Sequence, residues 1–181
     1  MRLFIALKLN EAIKDALCDV TDAMRTQGIR ANYVPEENLH VTLAFLGEVA
    51  PGTIPAIEEA ICSVPFTPFT LATGEIGNFG NLLYVGLAEN DPLHRYVSLL
   101  RQALDNRGID FDHKKFKAHI TIARKVEGER PFHLRVKKEH MTANGVSLFR
   151  SDRVNGGMRY TEIGYYSQER DRKPDRFNEK E

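Results

Sequence analysis

Two short segments of this 181-residue chain share one pattern: Leu39-His40-Val41-Thr42-Leu43 and Ala118-His119-Ile120-Thr121-Ile122. Each reads His-apolar-Thr-apolar within an aliphatic run, and the histidines lie 79 positions apart (119 minus 40). Side chains along a strand point alternately to opposite faces, so His40 and Thr42 share one face while Val41, Leu43 and Phe45 share the other. His119 and Thr121 stand opposite Ile120 and Ile122 in the same way. Each strand therefore offers an apolar face to a core, and an imidazole with a hydroxyl to a cleft. A chain carrying two such strands needs sheets with one covered face and one open face.

His-x-Thr occurs a third time, at His140-Met141-Thr142. There the flanks differ. Lys137, Lys138 and Glu139 precede it, and Ala143-Asn144-Gly145 follows as a turn-like stretch. His140 is read as a surface residue outside any aliphatic strand.

Around the two motifs the chain alternates between strand and helix patterns. Arg2–Leu9 reads as a strand. Asn10 then caps a helix with apolar Ile13, Leu17, Val20 and Met24, which Gly28 ends. Leu39–Leu46 is a strand closed by Gly47, and Pro51–Cys62 a second helix. Phe66–Ile76 and Leu82–Leu87 read as strands joined by a turn over Gly77, Asn78, Phe79, Gly80 and Asn81. Pro92–Asn106 is a third helix, Ala118–Ala123 a strand, and further strands are expected near Gly145–Phe149 and Tyr160–Tyr166. Hairpins mixed with helices in this order predict an α+β fold of largely antiparallel sheets rather than a doubly wound one. Gly74, Gly77 and Gly80 precede a strand, not a helix, which excludes a dinucleotide-binding loop.

The length fits one domain, or two small lobes sharing a core, over residues 1–167, with a polar tail at 168–181. Cys18 and Cys62 lack metal or redox spacing and are read as small hydrophobes. No leader or membrane-spanning stretch is visible, so a cytoplasmic protein with no membrane partner is expected. Basic and acidic residues balance at 25 each. Any anion site must be local.

A metal site would want Asp, Glu or Cys at ligand spacing beside the histidines; each has threonine instead. The pair suits displacement at phosphorus. Imidazole titrates near pH ~6.5, so one ring can take a proton from the entering oxygen while the other gives one to the leaving oxygen. Thr42 and Thr121 can donate to the non-bridging oxygens. Lys114, Lys115, Lys117, Arg124 and Lys125 flank the second motif, and Arg124 can grip phosphate bidentately. Strict alternation from His119 puts Arg124 on the wrong face, so a bulge or the strand's end must re-aim it.

At these residues the sequence resembles the 2H phosphoesterase superfamily, in its branch of RNA 2′,3′-cyclic phosphodiesterases first described as 2′-5′ RNA ligases. The resemblance rests on Arg2-Leu3-Phe4-Ile5-Ala6-Leu7, on Asn38 through Gly47, on Phe79-Gly80 and on His119 through Arg124. It implies a bilobal, pseudo-symmetric fold with a histidine-lined cleft between the lobes. It also implies hydrolysis of a terminal 2′,3′-cyclic phosphate to a 2′-phosphate, with no metal or other cofactor, by a monomer acting on RNA or a nucleotide. By analogy His40 donates the proton to the leaving 3′-oxygen and His119 accepts one from water, with Thr42, Thr121 and Arg124 on the phosphate. The residues alone leave those two roles interchangeable. Ala118 stands where many relatives have proline, and Tyr33 is the nearest equivalent of a common upstream tryptophan and a candidate for stacking on a base. Two other readings remain: 2′-5′ ligation by the same site, and a non-catalytic RNA-binding module.

Overall fold

Asn10 accepts a hydrogen bond from the Ile13 amide at 2.9 Å, which starts the first helix. Gly28, at φ +73°, lets the chain turn away beyond that helix's end, where side-chain-bearing residues are strained. Such local rules set most boundaries in the computed structural model, which describes residues 1–129 and 132–168. Beyond residue 168, the tail expected at 168–181 lies outside them.

The strands are β1 (Arg2–Lys8), β2 (Asn32–Tyr33), β3 (His40–Glu48), β4 (Phe69–Phe79), β5 (Leu82–Leu87), β6 (His119–Arg124), β7 (His140–Ala143), β8 (Gly145–Val154) and β9 (Gly157–Ser167). The helices are α1 (Glu11–Thr26), α2 (Ile54–Cys62) and α3 (Asp91–Asp105). Two antiparallel sheets result, in the orders β3-β1-β8-β9 and β2-β6-β5-β4-β7. The fold is α+β, as the element order predicts.

Three local expectations need correction. The turn between β4 and β5 is only Gly80 and Asn81, because β4 runs on through Phe79; Gly80 takes φ +55°. His140 lies in a strand, β7, which pairs with Phe69–Ala72 of β4, although its side chain is exposed as expected. Pairing with a hydrophobic neighbour outweighs the polar flanks. Two-residue β2 adds a strand where none is expected; Asn32 and Tyr33 pair with Arg124 and Ala123 of β6.

Leu3, Ile5 and Leu7 of β1 and Val41 and Leu43 of β3 are fully buried, as are Ile120 and Ile122 of β6. Helix α1 buries Ile13, Leu17, Val20 and Met24 and packs on β6 and β7, although it follows β1 in the chain. Helix α3 packs on α2 and β3. Helix α1 thus lies against one sheet and α3 against the other, and one apolar cluster spans both. The uncovered faces of β3 and β6 meet across a cleft. Among the described residues no helix is long and apolar enough to cross a membrane.

Candidate active site

Both histidines are held by the same backbone device. His40 Nδ1 lies 2.7 Å from the Asn38 carbonyl and His119 Nδ1 lies 2.6 Å from the Lys117 carbonyl, each two residues upstream. A carbonyl only accepts, so each Nδ1 carries a hydrogen and each Nε2 is left to accept a proton or, once protonated, to give one. The His40 Nε2 lies 2.9 Å from Thr42 Oγ1. The Nε2 of His119 has no hydrogen-bond partner among the described residues.

His40, Thr42, His119, Thr121 and Arg124 line one small cavity of about 50 Å³, together with Val34, Asn38 and Tyr160. It suits a phosphate-sized group, not a whole nucleotide. Arg124 reaches it through a bulge. Thr121 pairs with Tyr84 and Ala123 with Leu83, so Ile122 is an extra residue on β6. That insertion turns Ile122 and Ala123 both inward, where each is fully buried, and returns Arg124 to the side of Thr121. Arg124 makes no salt bridge among the described residues, so its guanidinium is available to an anion. The lysines of the same run do not line the cavity: Lys114 pairs with Asp112 at 3.3 Å, and Lys117 donates to the Tyr84 hydroxyl.

Burial holds the His40 imidazole below its ordinary pKa, with Arg124 and His119 adding to the effect and the Asn38 carbonyl opposing it. Burial also lowers His119, aided by the charges of Lys117 and Arg124 and opposed by the Lys117 carbonyl. Both rings therefore favour the neutral form at neutral pH. An anion between them would favour their charged forms and draw a proton in.

The rings are also packed by aromatics that the motifs did not reveal. Phe4 lies 4.8 Å from His40, and Tyr160 meets it edge-on at 5.3 Å. Phe79 and Tyr84 each meet His119 edge-on at 5.3 Å. Phe4 could have been found by alternation along β1; Tyr160 is distant in sequence from both motifs and left no signal. Tyr33 is not brought to the cavity. Its hydroxyl donates to the Ile29 carbonyl at 2.6 Å, and the Arg25 guanidinium covers its ring at 4.2 Å.

The family model of the LigT like Phosphoesterase matches this chain twice, over residues 7–89 and 85–160. Each match contains one of the two motifs. An RNA 2′,3′-cyclic phosphodiesterase of Geobacillus stearothermophilus is 36% identical over 137 residues, 71% of this chain and 43% of its own length. One from Archaeoglobus fulgidus is 34% identical over 130 residues, 68% of this chain and 72% of its own. The Escherichia coli LigT structure superposes with a TM-score of 0.81 at 24% identity, covering 92% of this chain and 96% of that one. A second structure of that protein, complexed with 3′-AMP, superposes at 0.77 and 22% identity, with the same coverage. At those identities the likeness is one of fold.

Proposed function

The chain belongs to the LigT-like phosphoesterase family, and on that premise we propose that it hydrolyses RNA 2′,3′-cyclic phosphate ends to 2′-phosphates by two-histidine acid–base catalysis, without a metal. The observation that carries the reading is the convergence of both His-x-Thr motifs and Arg124 on one cavity. The names of the relatives supply the substrate class.

In the proposed reaction the cyclic phosphate sits in that cavity. Arg124, Thr42 and Thr121 donate to its non-bridging oxygens and take the place of a metal's positive charge. The His119 Nε2, with no hydrogen-bond partner among the described residues, removes a proton from water as the water oxygen bonds to phosphorus. On the other side the P–O3′ bond breaks, and the protonated His40 Nε2 gives its hydrogen to O3′. The substrate's own negative charge supports the protonation of His40 that burial disfavours. Water is consumed, the 2′-phosphate is released, and a proton returned from His119 to His40 through solvent restores the enzyme.

The test is turnover of a 2′,3′-cyclic-phosphate nucleotide in excess chelator. Turnover persists with chelator, and His40→Ala and His119→Ala each lower kcat by about 10²–10⁴-fold. His140→Ala changes little, since His140 lies exposed on β7. A rate that survives either mutation of the pair, or collapses on chelation, removes the mechanism.

A further inference from the structure

The strands that carry the two histidines belong to different sheets, so no hydrogen-bonded ladder fixes the distance between them. Arg101 of α3 bridges the two halves. It donates through Nε to the carbonyl of Leu43 at 3.1 Å and through Nη1 to that of Lys114 at 2.8 Å. Leu43 follows Thr42 and sits where the register of β3 against β1 shifts. Lys114 lies in the segment that leads from α3 to His119 and contains no helix or strand. The guanidinium, half-buried, lies over the rings of Phe111 at 5.5 Å and Phe116 at 5.6 Å, both of that segment.

We propose that Arg101 is the positioning residue that sets His40 and His119 at their working separation, although it does not line the phosphate cavity. The proposal rests on the two-histidine hydrolase reading above. A segment without a ladder of its own takes its course from what it touches. Here the Asp112 amide donates to the Phe45 carbonyl of β3 at 2.9 Å, and Arg101 holds the Lys114 carbonyl beyond it. Further on, the Lys117 carbonyl accepts from His119 Nδ1, so a displaced segment turns that imidazole with it. In the other half the Leu43 carbonyl belongs to the bulge beside Thr42, whose hydroxyl lies 2.9 Å from His40 Nε2. One guanidinium thus ties the supports of both rings to α3.

Arginine suits this task and lysine does not. The guanidinium is planar and presents its donors in fixed directions, so it serves two carbonyls at once while lying against aromatic rings. In-line displacement at phosphorus needs the entering and leaving oxygens on opposite sides, so the two imidazoles must stand at matched distances from it. Binding of the ground state is less demanding, because Arg124, Thr42 and Thr121 hold the non-bridging oxygens.

The experiment sets Arg101→Lys and Arg101→Met against Arg107→Met, a control on the same helix whose guanidinium donates to Ala103 of that helix at 3.2 Å. Turnover of adenosine 2′,3′-cyclic phosphate is measured together with inhibition by inorganic phosphate and by the adenosine–vanadate complex, whose five-coordinate vanadium presents an entering and a leaving oxygen at once. Both Arg101 variants should lose about 10–10²-fold in kcat/KM, chiefly in kcat, the effect of displacing a reacting group by ~1 Å or less. The vanadate complex should lose affinity by the same factor, as a transition-state mimic does, while phosphate keeps its affinity. Arg107→Met should match the wild type. A rate loss with both affinities unchanged reflects a smaller folded fraction and overturns the proposal, as does a kcat near the wild-type value in both Arg101 variants. So does equal weakening of phosphate and vanadate, or a rate that Arg101→Lys retains, because the arginine then acts through its charge. If the wild-type enzyme turns over no cyclic phosphate, the hydrolase reading falls, and the proposal with it.

Discussion

The strands β3 and β6 are near copies, and their differences say more than their likeness. In both, histidine Nδ1 is tied to the carbonyl two residues upstream, and threonine follows at the next cleft-facing position. Both carry a bulge at the residue after the threonine. Leu43 is the extra residue on β3, between Thr42 paired with Ala6 and Ala44 paired with Ile5; Ile122 is its equivalent on β6. Even the carbonyls of the two bulged residues are satisfied from outside their ladders, Leu43 by the Arg101 guanidinium at 3.1 Å and Ile122 by the Val34 amide at 2.9 Å. Two residues past each bulge the copies part. One has Arg124 in the cavity; the other has Phe45, outside it, beneath the Arg2 guanidinium at 5.0 Å. A repeated scaffold thus presents two rings to one phosphate, and a single arginine makes its two sides unequal.

The largest test of that inequality is Arg124→Gln against Phe45→Leu. Loss of the guanidinium should lower kcat/KM by about 10²–10³-fold, the range for a preorganised donor aimed at developing charge. Phe45→Leu, at the equivalent position, should leave kcat/KM near its parent value while costing some stability. Equal losses in steady-state assays of the two would mean that the arginine acts through the strand's shape and not on the phosphate.

A smaller effect separates the threonines. Thr42 Oγ1 is bonded to His40 Nε2, whereas the His119 Nε2 has no such partner. Thr121→Val removes one donor to the phosphate and should lower kcat about tenfold, the value of one hydrogen bond to a charged group. Thr42→Val removes that donor and also the hydroxyl that orients the His40 ring, so its loss should be several-fold greater. If Thr121→Val proves the costlier substitution, the bond between Thr42 and His40 does not matter in the reacting state.

Much of this was legible beforehand because it obeys local rules. Alternation placed His40 with Thr42 and His119 with Thr121, and the same alternation, failing at Arg124, called for a bulge or the strand's end; β6 contains the bulge. Asn10 and Gly28 bounded α1 through capping chemistry. What stayed hidden depends on partners remote in sequence. Strand β7 forms because the edge of β4 is available to it, against the evidence of its own charged flanks. Tyr160 reaches His40 only through the β8–β9 hairpin, whose turn at Asn155-Gly156 has positive φ at both residues. That Asn-Gly pair is a hairpin signal in the sequence, yet it says nothing of where the strand after it will lie. Tyr33 shows the converse, a reasonable aromatic candidate that Arg25 and the Ile29 carbonyl have already engaged.

The finest difference between the halves is electrostatic. Lys117, which holds His119 through its carbonyl, also places its ammonium 4.9 Å from the Tyr84 ring centre and 5.3 Å from that of Phe79, both of which pack on the imidazole. That charge helps keep His119 below its ordinary pKa, behind the larger effect of burial. His40 has no lysine among the groups that shift it. With both rings lowered, the bell of kcat/KM, which reports the free enzyme, should lie to the acid side of pH ~6.5. A base must be neutral to act, so the rate falls as pH drops through the His119 pKa, which sets the acid limb. Lys117→Met removes a positive charge that disfavours imidazolium, so the His119 pKa rises and the acid limb moves to higher pH. The variant then loses rate below the optimum, keeps it near the optimum, and leaves the basic limb, set by His40, almost in place. Tyr84→Phe separates charge from packing: it deletes the hydroxyl that Lys117 donates to but leaves the ammonium and the ring, so its acid limb should stay with the wild type. A basic limb that moves while the acid limb stays would mean that the proton-accepting histidine is His40 and that the two halves have exchanged roles; two unmoved limbs would mean that the Lys117 charge does not act on the imidazole.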